Sequence, residues 1–388
     1  MIIRNGLLIP PRGRQAGFKV DNIMLEILFS LFEIDPHYEK EIARRVGVDI
    51  MTVRRRINQL RESGLLISAR PNIAKLKLRG VAVVARFTNT ISEGARLNLL
   101  KISPYWRYIN RGYESNGKVY LANYAIPISY VDNLKSYLEN LKREGIITSY
   151  RIYDFVNTIY NRFSLEYYDY SRRKWNVNPM DWARDIITSP VLKIPEVFDE
   201  RVYYEGTYID KIDLIIMEDL EVQGLKPLYS FATELGITPQ QVYCHYANHI
   251  QKQKLILQYV PLLYTVSPNL AFKITLILEA SKEEILGKII DASQGRPFLV
   301  SYSVNPYTNT IVLCLSLTRT TLTLLYNAID YLNEIGLIKS YRVILLDDLI
   351  IGQSIPYARA YDFNNYRWSP PRFPKVDEVL KIWHRGLK

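Results

Sequence analysis

Cysteine is nearly missing: Cys244 and Cys314 are the two among 388 residues. They stand in unrelated contexts without metal-ligand spacing, which excludes a disulfide framework and fits a reducing compartment. Long apolar runs are missing too. No stretch reaches the roughly 20 residues a transmembrane helix needs. The first residues are apolar but broken at Pro10-Pro11, with a single early Arg4 and no small-residue cleavage site, so they do not read as a secretory signal. A cytoplasmic protein without membrane contact is expected. Histidine is scarce as well, at His37, His245, His249 and His384, which leaves few groups for acid–base chemistry near neutral pH.

What is present points elsewhere. The chain is 48% hydrophobic, enough for real cores, and at roughly 100–200 residues per domain it should hold two to four of them. Tyrosine occurs 30 times and favours half-buried sheet positions. The formal net charge is +11, which favours a polyanionic partner.

The chain repeats itself. Asp21-Asn-Ile-Met-Leu25 corresponds to Asp210-Lys-Ile-Asp-Leu214, and Ala43-Arg-Arg-Val-Gly47 to Ala232-Thr-Glu-Leu-Gly236, both 189 residues on. Glu144-Gly-Ile-Ile-Thr-Ser-Tyr-Arg151 matches Ile335-Gly-Leu-Ile-Lys-Ser-Tyr-Arg342 at an offset of 191, and Tyr168-Asp-Tyr170 with Trp175 matches Tyr361-Asp-Phe363 with Trp368 at 193. Four matches in one order, with a slow drift in offset, indicate a duplicated module rather than a solenoid unit.

Each copy opens with a helical unit. Asp21 caps a helix with apolar residues at helical spacing. A short helix follows and ends at Gly47. A third begins after Asp49 and turns Val53, Ile57 and Leu60 inward. Ser63-Gly64 closes it and a strand starts at Leu65. That order predicts a winged helix-turn-helix whose third helix reads DNA. Its outward positions are expected to be Thr52, Arg54, Arg55, Arg56, Gln59 and Arg61, supported by Arg44 and Arg45. Residues 41–70 hold seven arginines against three acids, and arginine can bond bidentately to guanine. The second unit starts its third helix at Thr238-Pro239 and places Val242, Tyr246 and Ile250 at core spacing. Its outward face offers Gln240, Gln241, Tyr243, His245, Asn248, His249 and Lys252 and no arginine. Amides can read adenine, and a degenerate copy kept for packing fits equally. His245 and His249 stand one turn apart beside Cys244. No second ligand pair is visible, so neither a metal site nor a cofactor is expected.

Each helical unit is followed by β-α-β-β-α-β order. In the first, a hairpin turns at Ser115-Asn116-Gly117; in the second, at Asn305-Pro306. This is the ferredoxin-like pattern, with helices on one sheet face and the other face left to bury against a partner. The expected fold is α+β, a tandem repeat of winged helix-turn-helix plus ferredoxin-like sandwich. The expected segments are an arm at 1–20, a winged helix at 21–74, a sandwich at 75–158, a tail and linker at 159–209, a second winged helix at 210–267, a second sandwich at 268–350 and a tail at 351–388.

Asp21 to Ile67 resembles the leucine-responsive regulator family, Lrp/AsnC. The likeness rests on Glu41-Ile-Ala-Arg-Arg-Val-Gly47, Thr52-Val53, Arg56-Ile57, Leu60 and Gly64-Leu-Leu66, and continues in Asn116-Gly-Lys-Val-Tyr-Leu121 and Leu138 to Ile147. The resemblance implies a transcription regulator that binds double-stranded DNA, pairs through its sandwich domains, and takes a small-molecule effector between them. In this chain the pairing would be internal, with a homodimer as a further state. It also implies that Arg56 is the reading-helix arginine, a place taken by His245 in the second copy. Two other functions remain open at this level. Siroheme decarboxylases resemble the same paired plan, but no histidine lies in 75–158 or 268–350. An architectural chromatin protein would bind DNA without sequence preference.

The aromatic tails around Trp175 and Trp368 are expected to dock on their sandwiches, with short helices at 181–187 and 375–385. Arg172-Arg-Lys174 forms a basic run. Arg4, Arg12, Arg14 and Lys19 could form a minor-groove arm.

Overall fold

The structure, a computed structural model, describes residues 21–63, 65–169, 171, 174–190, 193–262, 265 and 271–379, with the short pairs 3–4 and 7–8. Arg12, Arg14 and Lys19 of the expected arm, the run at 172–173 and His384 lie outside the described residues.

The first half of the chain forms α1 (Asn22–Ser30), α2 (Glu39–Val46), α3 (Ile50–Ser63) and strand β1 (Ile67–Pro71). Then come β2 (Leu78–Phe87), α4 (Glu93–Leu100), β3 (Trp106–Glu114), β4 (Gly117–Pro127), α5 (Val131–Arg143) and β5 (Ile147–Phe155). A short strand β6 (Thr158–Tyr160) and helix α6 (Pro179–Thr188) follow. The second half returns to the same order. It forms α7 (Lys211–Val222), α8 (Ser230–Leu235), α9 (Pro239–Cys244) continued by a π-helical stretch (His245–Gln251), and β7 (Ile256–Pro261). After these come β8 (Phe272–Ala280), α10 (Glu283–Ser293), β9 (Leu299–Asn305), β10 (Thr310–Leu317), α11 (Arg319–Glu334) and β11 (Ile338–Gly352). No helix among the described residues is long and apolar enough to cross a membrane.

These elements form two compact units. One gathers both helical heads, residues 1–76 and 205–263, with 354–369. The other gathers 77–204, 264–353 and 370–388.

In the sheet unit nine strands run antiparallel in the order β5-β2-β4-β3-β11-β8-β10-β9-β6. Each half keeps the ferredoxin-like order, fourth strand beside first, then third, then second. They join edge to edge at β3–β11, where Gly112 faces Leu346. A Cβ on Gly112 would sit 2.8 Å from Ile344 Cγ2 and 3.0 Å from the Leu345 carbonyl oxygen, so the seam needs glycine. The outermost strands β5 and β6 are consecutive in the chain, so the sheet must curl back on itself. Alternation along each strand then buries both faces. Ala82, Val84, Val119 and Leu121 of the first half meet Ile277 and Ile344 of the second in one cluster with Phe155. The faces left bare by the helices therefore bury each other, as the alternation requires.

The tails depart from expectation. Trp175 contacts Phe163 and Tyr168 nearby, but the docking residue of the first tail is Trp182 on α6. It is buried in the second half's core with Leu286, Ile289 and Phe298, and its indole N–H donates to Ser293 Oγ at 2.9 Å. Trp368 docks in the head unit instead, donating to the Leu76 carbonyl oxygen at 2.6 Å. A buried indole needs an acceptor for its N–H, and each of these two finds one where it docks. Of the helix expected at 375–385, residues 376–379 are helical and 380–385 lie outside the described residues.

Candidate nucleic-acid interface

The first head is built on three short amphipathic helices. Asp21 caps α1 by accepting from Met24 N at 2.9 Å. Gly47 ends α2 with φ 75°, the left-handed cap a side chain resists. Asp49 opens α3, its carboxylate accepting from the backbone N and hydroxyl of Thr52 at 2.8 and 2.7 Å. Val53, Ile57 and Leu60 are fully buried, as are Met24, Ile27, Leu28 and Ile42 of the same head. That spacing fixes which face of α3 stays open. Met51, Arg54, Arg55, Asn58, Arg61 and Glu62 are exposed, at the i, i+3, i+4, i+7 positions of one stripe.

The twelve residues expected to touch DNA separate in the structure. Arg54 donates from Nε to Glu39 Oε2 at 2.9 Å, a pair that raises the already high guanidinium pKa. Arg55 and Arg44 are exposed, with no acidic partner among the described residues. Arg45 pairs with Glu33 at 3.2 Å, both about half exposed. Arg61 donates to the Leu225 carbonyl oxygen at 2.8 Å and to Asn58 Oδ1 at 2.6 Å, and partial burial lowers its guanidinium pKa, with Glu39 nearby acting against that.

Arg56 differs from expectation. Its side chain is 18% exposed and its guanidinium pairs with Asp21, the α1 cap. Three consecutive arginines span about 200° of a helix, and the one that turns toward α1 is Arg56. Gln59 is half buried and accepts from Arg56 at 3.2 Å. Both belong to the scaffold under the open stripe.

The second head repeats the core and not the surface. Val242, Tyr246 and Ile250 are buried. Thr238 and Gln241 form a capping box, Thr238 N donating to Gln241 Oε1 at 2.9 Å and Gln241 N to Thr238 Oγ1 at 3.2 Å. The Gln241 amide is thereby engaged. Gln240 and Tyr243 are exposed. His245, expected outward, instead turns to Asp213 and Asp210, with Nδ1 3.0 Å from Asp213 Oδ1 and 3.2 Å from Asp210 Oδ2. His249 Nδ1 lies 3.0 Å from Asp213 Oδ2. The Asp213 side chain is fully buried, and burial raises its pKa above the usual carboxylate range. Sequence reading finds the histidine pair and misses this carboxylate pair. The signal is there: Asp210 and Asp213 open α7 at cap and N3 positions, and α7 and the third helix must pack together.

The heads also meet. β1 and β7 form an antiparallel ladder pairing Ile67 with Pro261 and Ala69 with Tyr259, so the strand expected to begin a wing pairs with its counterpart. Beside it lies a buried polar network. His37 Nδ1 is 2.8 Å from Asp35 Oδ1 and Nε2 donates to the Lys226 carbonyl oxygen at 3.0 Å. Tyr246 hydrogen-bonds Asp35 and reaches Tyr259 at 2.5 Å, and Gln251 donates to Tyr246 at 3.0 Å. Burial holds both phenols well above their ordinary pKa.

A winged helix-turn-helix DNA-binding family matches residues 21–67, which are α1 to the start of β1. The crystal structure of the siroheme decarboxylase NirDL is similar over 94% of this chain and 100% of that one, at 12% identity and TM-score 0.51, which shows the mixed helix-and-sheet fold. An AsnC family transcriptional regulator from Agrobacterium tumefaciens matches over 38% of this chain and 98% of its own, at 18% identity and TM-score 0.27. None of the curated proteins matches the chain. The chain therefore has a winged helix-turn-helix at its front, in an α+β fold.

Proposed function

We propose that this protein is a DNA-binding transcription regulator of the Lrp/AsnC kind, a duplicated module that acts as its own pseudo-dimer. The first head enters the major groove with α3, and Arg54, Arg55 and Arg61 meet phosphate and base edges, with Arg44 as a further phosphate contact. The observation that carries this is the open stripe of α3, which presents three guanidinium groups and one acid, Glu62, on a winged helix-turn-helix. Arginine on such a face supplies both the electrostatic term and guanine readout. The second head, without arginine on its exposed face, contributes geometry more than charge. The continuous nine-stranded sheet supports the internal pairing. An effector of the Lrp/AsnC type would bind in the sheet unit.

The test is binding of full-length protein to genomic fragments at two salt concentrations, for the parent and for Arg54→Ala/Arg55→Ala/Arg61→Ala. Selected fragments, affinity falling steeply with salt, and weakened binding in the variant support the proposal. A variant that binds like the parent refutes the assignment of α3. Equal affinity for every fragment supports an architectural protein instead.

One observation favours a second reading, a siroheme-decarboxylase-like enzyme: the fold shared with NirDL over 94% of the chain. Such an enzyme needs a proton donor in a pocket. The described histidines, His37, His245 and His249, all lie in the head unit and face carboxylates there. Haem-like absorbance of the purified protein, or tight binding of an added iron porphyrin, would favour the enzyme.

A further inference from the structure

The second head brings two histidines and two aspartates to one point. One ring nitrogen from each of His245 and His249 and one carboxylate oxygen from each of Asp210 and Asp213 all lie within 4.8 Å of one another. The two aspartates come from the cap and third position of α7, and the two histidines from the π-helical stretch packed against it. We propose that these four side chains bind a divalent transition-metal ion, zinc by the chemistry of the donors, as a structural site of the second head. The proposal does not depend on the DNA-binding reading.

Four features support it. The first is the spacing of the donors. A tetrahedral centre with ligand distances of roughly 2.0–2.1 Å has donor atoms about 3.4 Å apart. The nitrogen–oxygen separations here are 3.0 and 3.2 Å for His245 and 3.1 Å for His249 to Asp213 Oδ1, with 3.8 Å from His249 to Asp210 Oδ2. They bracket that value.

The second is orientation. Asp210 Oδ1 accepts from Asp213 N and Asp213 Oδ2 from Asp210 N, both at 3.0 Å. This reciprocal cap holds both carboxylates beside the imidazoles: Asp210 Oδ2 faces both rings, and His249 lies 3.1 Å from Asp213 Oδ1 and 3.0 Å from Oδ2. Such outer hydrogen bonds hold ligands in place in metal sites.

The third is backbone. His245–Gln251 is π-helical, with Lys252 N bonded to Ala247 O at 3.1 Å and Leu255 N to Ile250 O at 2.9 Å. A π-helical turn is uncommon and recurs at functional sites. The fourth is shelter. Asp213 is fully buried, the other three side chains are 19–28% exposed, and the Tyr208 ring packs edge-on against His249 at 5.2 Å.

Two imidazoles and two carboxylates suit zinc over calcium or magnesium, which take oxygen sets. Four protein donors leave no open position, so the ion would pin α7 to the third helix rather than do chemistry.

The experiment uses chelator-stripped full-length protein titrated with Zn²⁺, and separately with Co²⁺, whose visible absorbance reports tetrahedral nitrogen–oxygen coordination. One equivalent of Zn²⁺ should bind in the submicromolar range and raise the melting temperature of the protein. His245→Ala/His249→Ala should weaken binding by a hundredfold or more. Asp213→Asn, nearly isosteric, should weaken it at least tenfold and keeps the test valid if the double variant misfolds by circular dichroism. Cys244→Ala, beside the site and exposed, should bind as the parent does. Absence of stoichiometric binding overturns the proposal. So does binding that survives the histidine and Asp213 variants, or binding abolished by Cys244→Ala.

Discussion

The two heads share a core and differ in what they show the solvent. In the first, α3 runs unbroken from Ile50 to Ser63. In the second, the matching segment is α-helical for Pro239–Cys244 and π-helical for His245–Gln251. The buried stripe is kept as Val53, Ile57 and Leu60 in one and Val242, Tyr246 and Ile250 in the other. The open stripe is not: arginines in the first, Gln240, Tyr243 and Asn248 in the second. Packing fixes the inward residues, because each methylene removed from a core costs stability. The outward ones are held by fewer contacts, such as Arg54 to Glu39 and Arg61 to the Leu225 carbonyl oxygen, so packing leaves them freer to diverge. On the proposed function, DNA contact falls to the first head and support to the second.

Four sets of variants probe that contrast. The largest effect is expected from Arg54→Ala/Arg55→Ala/Arg61→Ala. Affinity for a selected fragment should fall about a hundredfold or more, and the salt slope should drop by roughly one for each phosphate no longer bound. Fluorescence anisotropy at several salt concentrations measures both.

Next are the two cap glycines. Gly47 and Gly236 hold φ 75° and 67° with open space where a Cβ would go. Alanine at either should cost about 1–2 kcal/mol from backbone strain alone, seen as equal shifts in urea unfolding. Only Gly47→Ala should also weaken DNA binding, because it moves α2 against α3.

Arg56→Ala comes third. Removing a partly exposed pair with Asp21 should cost under about 1 kcal/mol, with DNA affinity within about threefold of the parent. A drop as large as that from Arg55→Ala would return Arg56 to the reading face. The smallest effect is expected from Gln240→Ala/Tyr243→Ala, under about threefold in affinity. A larger drop would show that the second head reads DNA after all.

Much of the fold is legible in the sequence. The three helices of each head, the caps at Asp21, Gly47 and Thr238, and the order of strands and helices follow from apolar spacing and cap chemistry. So does the need of the bare sheet faces for each other. Pairing at a distance is not legible. The ladder between β1 and β7, the β3–β11 seam and the place of Trp182 in the second half's core depend on segments far apart in the chain. No local pattern encodes them.

The site is legible in part for a similar reason. Helical period alone puts Arg54, Arg55 and Arg61 outward. The same period misplaces Arg56, whose position depends on Asp21, 35 residues earlier in the chain. It misplaces His245 too, because the residue that turns it inward is Asp213, from the first helix of its own head. Periodicity gives the face of a helix. It does not give the partner waiting beside that face.

The assignment of the reading head is tested most directly by placing a photo-crosslinking amino acid at exposed Asn58 on α3, or at exposed Asn248 on the second head. Each protein is then irradiated on a selected DNA fragment. A strong crosslink from position 58 and a weak one or none from position 248 is the predicted result. No crosslink from 58 with intact binding, or equal yields from both, would contradict it.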